Sequence, residues 1–142
     1  MSDGQAPAVQ RLTLHVDGGA RGNPGPAAIG IVIDDGDGTR IGDLAERIGV
    51  ATNNVAEYRA VLRGLERAAE LGAREVEVIN DSELVAKQLN RVYKVKHPAM
   101  RPLFEAATER LAGFERWSIR SVPRAANAEA DALVNAALDG LR

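Results

Sequence analysis

The chain has 142 residues, a formal net charge of −2 and no cysteine. This length suits one domain with its own core, and the lack of cysteine excludes disulfides, a thiolate nucleophile and a cysteine-based zinc site. The sequence shows no apolar run long enough for a membrane span and no signal peptide, so we expect a cytoplasmic protein without a membrane partner. Residues 1–10 are small and polar and predict a disordered tail, which leaves residues 11–142 as a single domain.

The slightly negative charge counts mildly against a nucleic-acid binder, unless clustered acids at one site mask a basic surface elsewhere. Periodicity, glycines and prolines divide the chain into strands and helices. In chain order, the predicted elements are strands at 11–17, 27–33 and from the acidic turn to 48, a helix at 54–71, a strand at 74–80, helices at 82–90 and 101–112, a strand at 116–122 and a helix at 127–138. A glycine-rich loop is predicted at 18–26 and a basic connector at 91–101.

This order of elements predicts an α/β fold with a mixed sheet. Three strands joined by short turns form an antiparallel meander, and the helical crossovers that follow favour parallel strands beyond it. The meander then grows on one side of the first strand and the later strands on the other. Ligands bind at such a reversal, outside the carboxyl ends of the strands, where the sequence places Asp17 and Asp81.

Four acids stand out: Asp17, Glu57, Asp81 and Asp131. Each alone has a simple structural explanation. Asp17 precedes a turn, Glu57 completes a capping box with Asn54, Asp81 suits a helix N-cap, and Asp131 lies one helical turn after Asn127. Together they come from separate elements, two of them at adjacent strand ends. Carboxylates gathered in one place repel one another unless cations hold them, so the set predicts a divalent-metal site.

Other motifs are weaker candidates for a site. The glycine-rich segment 18–25 follows a strand but lacks the Gly-Lys-Ser/Thr ending of a nucleotide P-loop. The acidic turn at 34–38 lacks the ligand spacing of a calcium loop, so a hairpin turn is the better explanation. His15 lies within a strand, and no Ser-His-Asp arrangement is evident.

The motifs around the four acids resemble those of type 1 ribonuclease H, in order and in spacing, over nearly the whole chain after residue 11. They are similar above all to the compact bacterial and archaeal branch of that family. The motifs that carry the resemblance are 17–26 (DGGARGNPGP), 52–57 (TNNVAE), 80–82 (NDS), and Val122-Pro123-Arg124 with Asn127 and Asp131.

The resemblance implies a ribonuclease H-like fold, with a five-stranded sheet of three antiparallel and two parallel strands flanked by helices. It implies endonucleolytic hydrolysis of the RNA strand of RNA–DNA hybrids, leaving 3′-hydroxyl and 5′-phosphate ends. The four acids would bind two Mg²⁺ ions, or Mn²⁺, one to activate the attacking water and one to stabilise the leaving 3′ oxygen. The expected protein is a monomer without an obligate protein partner.

By the same resemblance, a further set of residues would bind the hybrid, through RNA 2′-hydroxyls and backbone phosphates. This set comprises backbone groups of Gly18, Gly19 and Ala20 and the side chains of Asn23, Thr52, Asn53, Asn54 and Asn127. The positive charge of the basic connector separately predicts that Lys94 and Lys96 contact the nucleic-acid backbone. A solvated connector is nearly as good an explanation for the two lysines. Many family members have a longer basic segment there, so affinity is expected to be modest and salt-dependent.

A second departure from the family pattern concerns the loop before Asp131, where many relatives have a histidine. Arg124 stands closest to that position here, and it could hold the scissile phosphate or help product leave. It is a poor general acid because it does not give up its proton, so the proton donor stays open. Two other functions fit the same fold less well. A missing acid would favour a non-catalytic nucleic-acid-binding module, but all four acids are present. The glycine-rich motif and Thr52-Asn53-Asn54 argue against a junction resolvase or exonuclease.

Overall fold

The structure, a computed structural model, describes residues 10–142, and residues 1–9 of the predicted tail at 1–10 lie outside the described part. Within it, the strands are β1 (Arg11–Ala20), β2 (Gly25–Asp34), β3 (Arg40–Ala51), β4 (Glu75–Asn80) and β5 (Arg116–Ser121). The helices are α1 (Asn53–Glu70), α2 (Glu83–Leu89), α3 (Arg101–Ala112) and α4 (Ala128–Leu138), with a short 3₁₀ helix, Arg124–Asn127, before α4. No helix between residues 10 and 142 has the length and apolar character needed to cross a membrane.

The five strands form one sheet in the order β3-β2-β1-β4-β5. The β1–β2 and β2–β3 pairs are antiparallel, and the β1–β4 and β4–β5 pairs are parallel. This confirms the predicted mixed sheet. It also confirms that β1 and β4 are neighbours running in the same direction, so their carboxyl ends lie at one edge of the sheet.

The two faces of the sheet are covered unequally. On one face, the apolar residues of β1, β2 and β4 pack against α1, with Tyr58 and Leu65 fully buried in a large core. On the other face, α4 packs on β2 in a small cluster built from Ala28, Val134 and Ala137. Small side chains bring α4 close to the sheet, so the position of α4 depends on a short-range steric fit.

Gly30 is the tightest point of that fit. A Cβ atom built there would lie 2.5 Å from the carbonyl oxygen of Ala130 and 2.8 Å from the Cβ of Leu133. Only glycine allows this approach. Because Ala130 directly precedes Asp131, this contact also fixes the position of Asp131 relative to the sheet.

The region after Asp17 differs from the prediction. The first strand continues through Gly18 and Gly19 to Ala20, and these residues pair with β2, with Gly18 opposite Ile29 and Ala20 opposite Ala27. The predicted loop at 18–26 therefore shrinks to residues 21–24, which include a cis peptide bond between Asn23 and Pro24. Asp17 thus lies inside a strand rather than at its end. Local composition predicts a loop at Gly18 and Gly19 because glycine is common in loops, and it does not show the pairing with β2 that places them in a strand.

We predict that Gly30→Ala lowers the free energy of unfolding by roughly 1–3 kcal/mol, since the added methyl group meets backbone atoms of α4. Gly42→Ala is the matched control, because nothing lies within 4 Å of a Cβ atom at that position. Denaturant unfolding of both variants measures the difference. Equal stability of the two variants would contradict the close packing of α4 on β2.

Candidate active site

All four predicted acids line one open cleft of about 440 Å³. Asp17 comes from β1, Glu57 from the first turns of α1, Asp81 from the residue after β4, and Asp131 from the first turn of α4. Asp17, Glu57 and Asp81 each offer a carboxylate oxygen, and these oxygens lie within 4.8 Å of one another. The convergence expected from the sequence is therefore present in the structure.

Burial makes the negative charges of two of these acids costly. Only 6% of Asp17 is exposed. Burial, followed by the charge of Asp81, raises the pKa of Asp17 to about 7. Burial and the charge of Asp17 raise the pKa of Glu57 to about 10, although a hydrogen bond from the Gly18 amide acts in the opposite direction. Without a cation, the site favours protonated carboxyl groups at neutral pH.

The contact between Glu57 and β1 depends on glycine. The Gly18 amide donates a hydrogen bond of 2.7 Å to Oε1 of Glu57. A Cβ atom at residue 18 would lie 2.1 Å from the carbonyl oxygen of Ala56, so α1 approaches β1 more closely than any other residue would allow. The glycine after Asp17 thus brings the second acid against the first.

The local roles considered for Glu57 and Asp81 are wrong. Thr52, rather than Asn54, caps α1, because its Oγ1 accepts a hydrogen bond from the Val55 amide at 3.2 Å. Ser82, rather than Asp81, caps α2 in the same way. Glu57 and Asp81 therefore do not cap their helices, and both line the cleft.

Asp131 has different neighbours from the other three acids. Its Oδ1 accepts a hydrogen bond of 3.3 Å from Nη2 of Arg124, and Nδ2 of Asn135 lies 3.4 Å from its Oδ2. The predicted pair with Asn127 does not form. Instead, Asn127 is buried and its Nδ2 donates to the carbonyl oxygen of Val16 at 2.9 Å. Asn127 thus ties the start of α4 to β1 directly before Asp17, and its predicted contact with substrate stays a prediction.

The first two sequence motifs interlock at the mouth of the cleft. Oδ1 of Asn23 accepts a hydrogen bond of 3.0 Å from the backbone amide of Asn53. Oδ1 of Asn53 accepts a hydrogen bond of 2.9 Å from the backbone amide of Ala20. The backbone amides of Gly18 and Ala20 thus donate within the protein, and the predicted substrate contacts of the backbone groups of Gly18, Gly19 and Ala20 stay predictions. Gly19, Asn53 and Asn54 line the cleft.

The two connector lysines lie apart from the acids. Lys94 and Lys96 line a separate pocket of about 490 Å³ between α2 and α3, together with Tyr93 and Phe104. They are therefore not part of the acidic cleft. Glu83, close to Asp81 in sequence, turns to Lys87 with an Oε1–Nζ distance of 2.7 Å and does not line the cleft.

Three polar residues that sequence analysis did not single out also line the cleft: Arg21, Ser82 and Asn135. Asn135 follows Asp131 by one helical turn and so shares its helix face, a spacing that could have identified it. Arg21 could not be placed, because its loop was predicted to be longer than it is.

The donor set fits a hard divalent cation. Carboxylate oxygens are the ligands that Mg²⁺ and Mn²⁺ accept, and three of them lie within 4.8 Å of one another. Two of these groups are buried at a cost that a bound cation would offset. Asp17, Glu57 and Asp81 therefore fit a divalent metal ion, and the predicted part of Asp131 as a fourth ligand stays a prediction.

The raised pKa of Asp17 predicts how the stability of the metal-free protein depends on pH. The folded-state pKa of about 7 lies above the ordinary value of 3.8, so stability is lost as pH rises from about 4 through about 7. Asp17→Asn removes this loss and should raise the free energy of unfolding at pH 8 by roughly 1–3 kcal/mol, with little effect at pH 4. Chelator-treated wild type and variant are compared by denaturant unfolding across this range. Identical pH profiles would show that burial and the nearby carboxylates do not raise the pKa of Asp17.

Comparison with known proteins agrees with this architecture. A family described as "Reverse transcriptase-like" matches residues 15–137. Ribonuclease HI of Halobacterium salinarum is 48% identical over 129 residues, which cover 91% of this chain and 65% of that protein. A bifunctional protein of Mycobacterium tuberculosis is 45% identical over 130 residues, which cover 91% of this chain and 36% of that protein. The chain thus spans about two thirds and about one third of these relatives' lengths.

Solved structures show the same fold. RNase H1 of Halobacterium salinarum matches with a TM-score of 0.89 at 48% identity, covering 92% of this chain and 98% of that one. LC11-RNase H1, crystallised in complex with an RNA/DNA hybrid, matches with a TM-score of 0.86 at 42% identity, covering 91% and 97%. With the family match and these structures, the chain belongs to the type 1 ribonuclease H family.

Proposed function

We propose that this protein is a metal-dependent endonuclease that hydrolyses the RNA strand of RNA–DNA hybrids and leaves 3′-hydroxyl and 5′-phosphate ends. The observation that carries the proposal is the meeting of four acids from four elements in one cleft. The relatives named ribonuclease H and the hybrid bound to LC11-RNase H1 support the choice of substrate. The monomeric state and the cytoplasmic location stay predictions.

Asp17, Glu57, Asp81 and Asp131 would hold two Mg²⁺ ions, with Mn²⁺ as an alternative. Such ions supply Lewis-acid activation of water and neutralise the charge that develops on a leaving oxygen. The protein's part is to keep the carboxylates close together. Oxygens of Asp17, Glu57 and Asp81 lie within 4.8 Å of one another, a spacing that suits carboxylates holding a shared cation.

Arg124 is suited to contact the scissile phosphate. Its side chain is 79% exposed, and its contact with Asp131 holds it at the cleft. The hydrogen bond with Asp131 raises the pKa of Arg124 further, so it stays cationic and acts by attracting the phosphate rather than by transferring a proton.

Hybrid recognition is assigned to the two interlocked motifs and the connector. The amides of Asn23, Asn53 and Asn54 lie at or beside the cleft, where RNA 2′-hydroxyls would pass. Thr52 accepts a hydrogen bond at the start of α1, and its hydroxyl proton is still available for a phosphate of the DNA strand. The pocket that contains Lys94 and Lys96 would contact the backbone farther from the cut, through salt-dependent attraction.

A cleavage assay tests the proposal. Labelled hybrid, duplex RNA and duplex DNA are incubated with and without Mg²⁺, and only the hybrid is expected to be cut, and only with metal. Asp17→Asn should reduce cleavage at least about 1,000-fold while hybrid binding persists, because it removes a metal ligand but not the binding surface.

Glu83→Gln is the matched control for that assay, since it removes a carboxylate near Asp81 in sequence that pairs with Lys87 outside the cleft. It should cleave like the wild type. Full activity of Asp17→Asn, or cleavage of the hybrid without divalent metal, would overturn the proposal.

Arg124→Ala should lower kcat more than it weakens hybrid binding, by about tenfold against twofold or less, because the guanidinium contacts the reacting phosphate most strongly as charge builds up. Steady-state kinetics and binding measured without metal separate the two effects. An unchanged kcat would remove Arg124 from the mechanism.

A further inference from the structure

We propose that Asn135 is a positioning residue for Asp131, and that Arg21 and Asp139 hold Asn135 in the orientation this requires. Asn135 and Asp139 lie outside the family motifs and the four-acid set, and Arg21 lies within the first motif without an assigned role. The inference rests on the proposed function, because Asp131 matters only if the cleft binds metal and substrate.

Both carboxylate oxygens of Asp131 have a partner. Arg124 contacts Oδ1, and Nδ2 of Asn135 lies 3.4 Å from Oδ2. The same Nδ2 also lies 3.2 Å from the backbone carbonyl oxygen of Asp131. Asn135 therefore approaches Asp131 from the helix side, and Arg124 approaches it from the preceding 3₁₀ turn.

The other end of the Asn135 amide faces a cation. Its Oδ1 lies 3.5 Å from Nη2 of Arg21, and Nη1 of Arg21 donates a hydrogen bond of 2.6 Å to Oδ1 of Asp139. An amide has one donating and one accepting end, so a carboxylate on one side and a guanidinium on the other favour a single orientation. We call the series Asp139–Arg21–Asn135–Asp131 the brace.

The brace joins two walls of the cleft. Arg21 belongs to the short loop between β1 and β2, whereas Asn135 and Asp139 belong to α4 and its C-terminal end. Arg21 and Asn135 both line the cleft. The contact therefore fixes the helix that carries Asp131 relative to the strand that carries Asp17.

Asp131 needs such support more than the other acids. The three-oxygen cluster within 4.8 Å consists of Asp17, Glu57 and Asp81, and Asp131 stands outside it with 28% of its side chain exposed. Its partner Arg124 is 79% exposed, so holding that long side chain in one position costs conformational entropy. A neutral donor on the same helix holds the carboxylate without adding a charge that would compete with a metal.

A simpler explanation is that Asn135 merely contacts its own helix, as the bond to the Asp131 carbonyl would allow. The two explanations differ in their dependence on Arg21. If Asn135 only contacts its own helix, substituting Arg21 does not change the effect of substituting Asn135. If the brace holds, the effects of the two substitutions on kcat are non-additive.

The experiment uses Asn135→Leu, Asn135→Asp, Arg21→Gln and the double variant Arg21→Gln/Asn135→Leu. Arg40→Gln is the matched control, because Arg40 also joins a strand to the first turn of α4, through Glu129, but lies outside the cleft. Its side chain is 40% exposed, against 48% for Arg21. For each protein, kcat and KM on the hybrid are measured at saturating Mg²⁺, with thermal unfolding to confirm folding.

We expect Asn135→Leu to lower kcat about tenfold with KM within about twofold, as is typical when a partner of a metal ligand is removed. Asn135→Asp should be worse, because it places a carboxylate against Asp131. Arg21→Gln should lower kcat less, and the double variant should be no slower than Asn135→Leu alone. Arg40→Gln should behave like the wild type. Wild-type kcat in Asn135→Leu, or additive effects in the double variant, would overturn the brace.

A second readout does not depend on cleavage. The side-chain amide signal of Asn135 in a ¹H–¹⁵N spectrum, identified by its absence in Asn135→Leu, should shift in Arg21→Gln and on addition of Mg²⁺ but not in Arg40→Gln. If the wild type fails to cut hybrids, the proposed function fails, yet this signal still tests the brace. An amide signal that Arg21→Gln does not move would overturn the brace even in an active enzyme.

Discussion

Electrostatic repulsion among carboxylates held together by the fold is the constraint on which the rest of the structure depends. Oxygens of Asp17, Glu57 and Asp81 lie within 4.8 Å of one another, and Asp17 is almost wholly buried. Two ionised carboxyl groups at this separation repel by a few kcal/mol at the effective dielectric constant of a protein surface. Without metal at neutral pH, burial and this repulsion keep the carboxyl groups of Asp17 and Glu57 largely protonated, and a divalent cation would offset both effects by displacing the protons.

The fold imposes this proximity through backbone geometry rather than through side-chain pairing. Parallel neighbours β1 and β4 bring Asp17 and Asp81 to one edge of the sheet. Gly18 lets α1 approach β1, and Gly30 lets α4 approach β2. Glu57 on α1 and Asp131 on α4 therefore each lie on a helix that packs closely against a glycine of the sheet. Because α1 and α4 are held by close packing at these two glycines, they cannot move away from the sheet to relieve the repulsion without losing packed core. This explains how a strained set of charges persists.

Sequence patterns predicted the sheet order and the meeting of Asp17 with Asp81, because helical crossovers and strand ends follow general rules of topology. They misplaced the end of β1, since Gly18 to Ala20 join the ladder only through pairing with β2, which is a non-local contact. They also shifted the helix caps to Asn54 and Asp81, because several neighbouring polar residues can cap equally well and the choice depends on packing. The spacing of Asn135 from Asp131 places it on the same helix face, but its contact with Arg21, 114 residues away in the chain, is non-local and leaves no sequence pattern.

Proton release on metal binding tests the central claim most directly. Mg²⁺ is titrated calorimetrically into the metal-free protein near pH 7, in two buffers that differ in ionisation enthalpy. The raised pKa values of Asp17 and Glu57 mean that these groups carry protons which the ion must displace, so binding should release roughly one to two protons per protein. Binding without proton release, or no binding of any divalent cation, would show that the carboxylates are not held in mutual repulsion and would contradict the account.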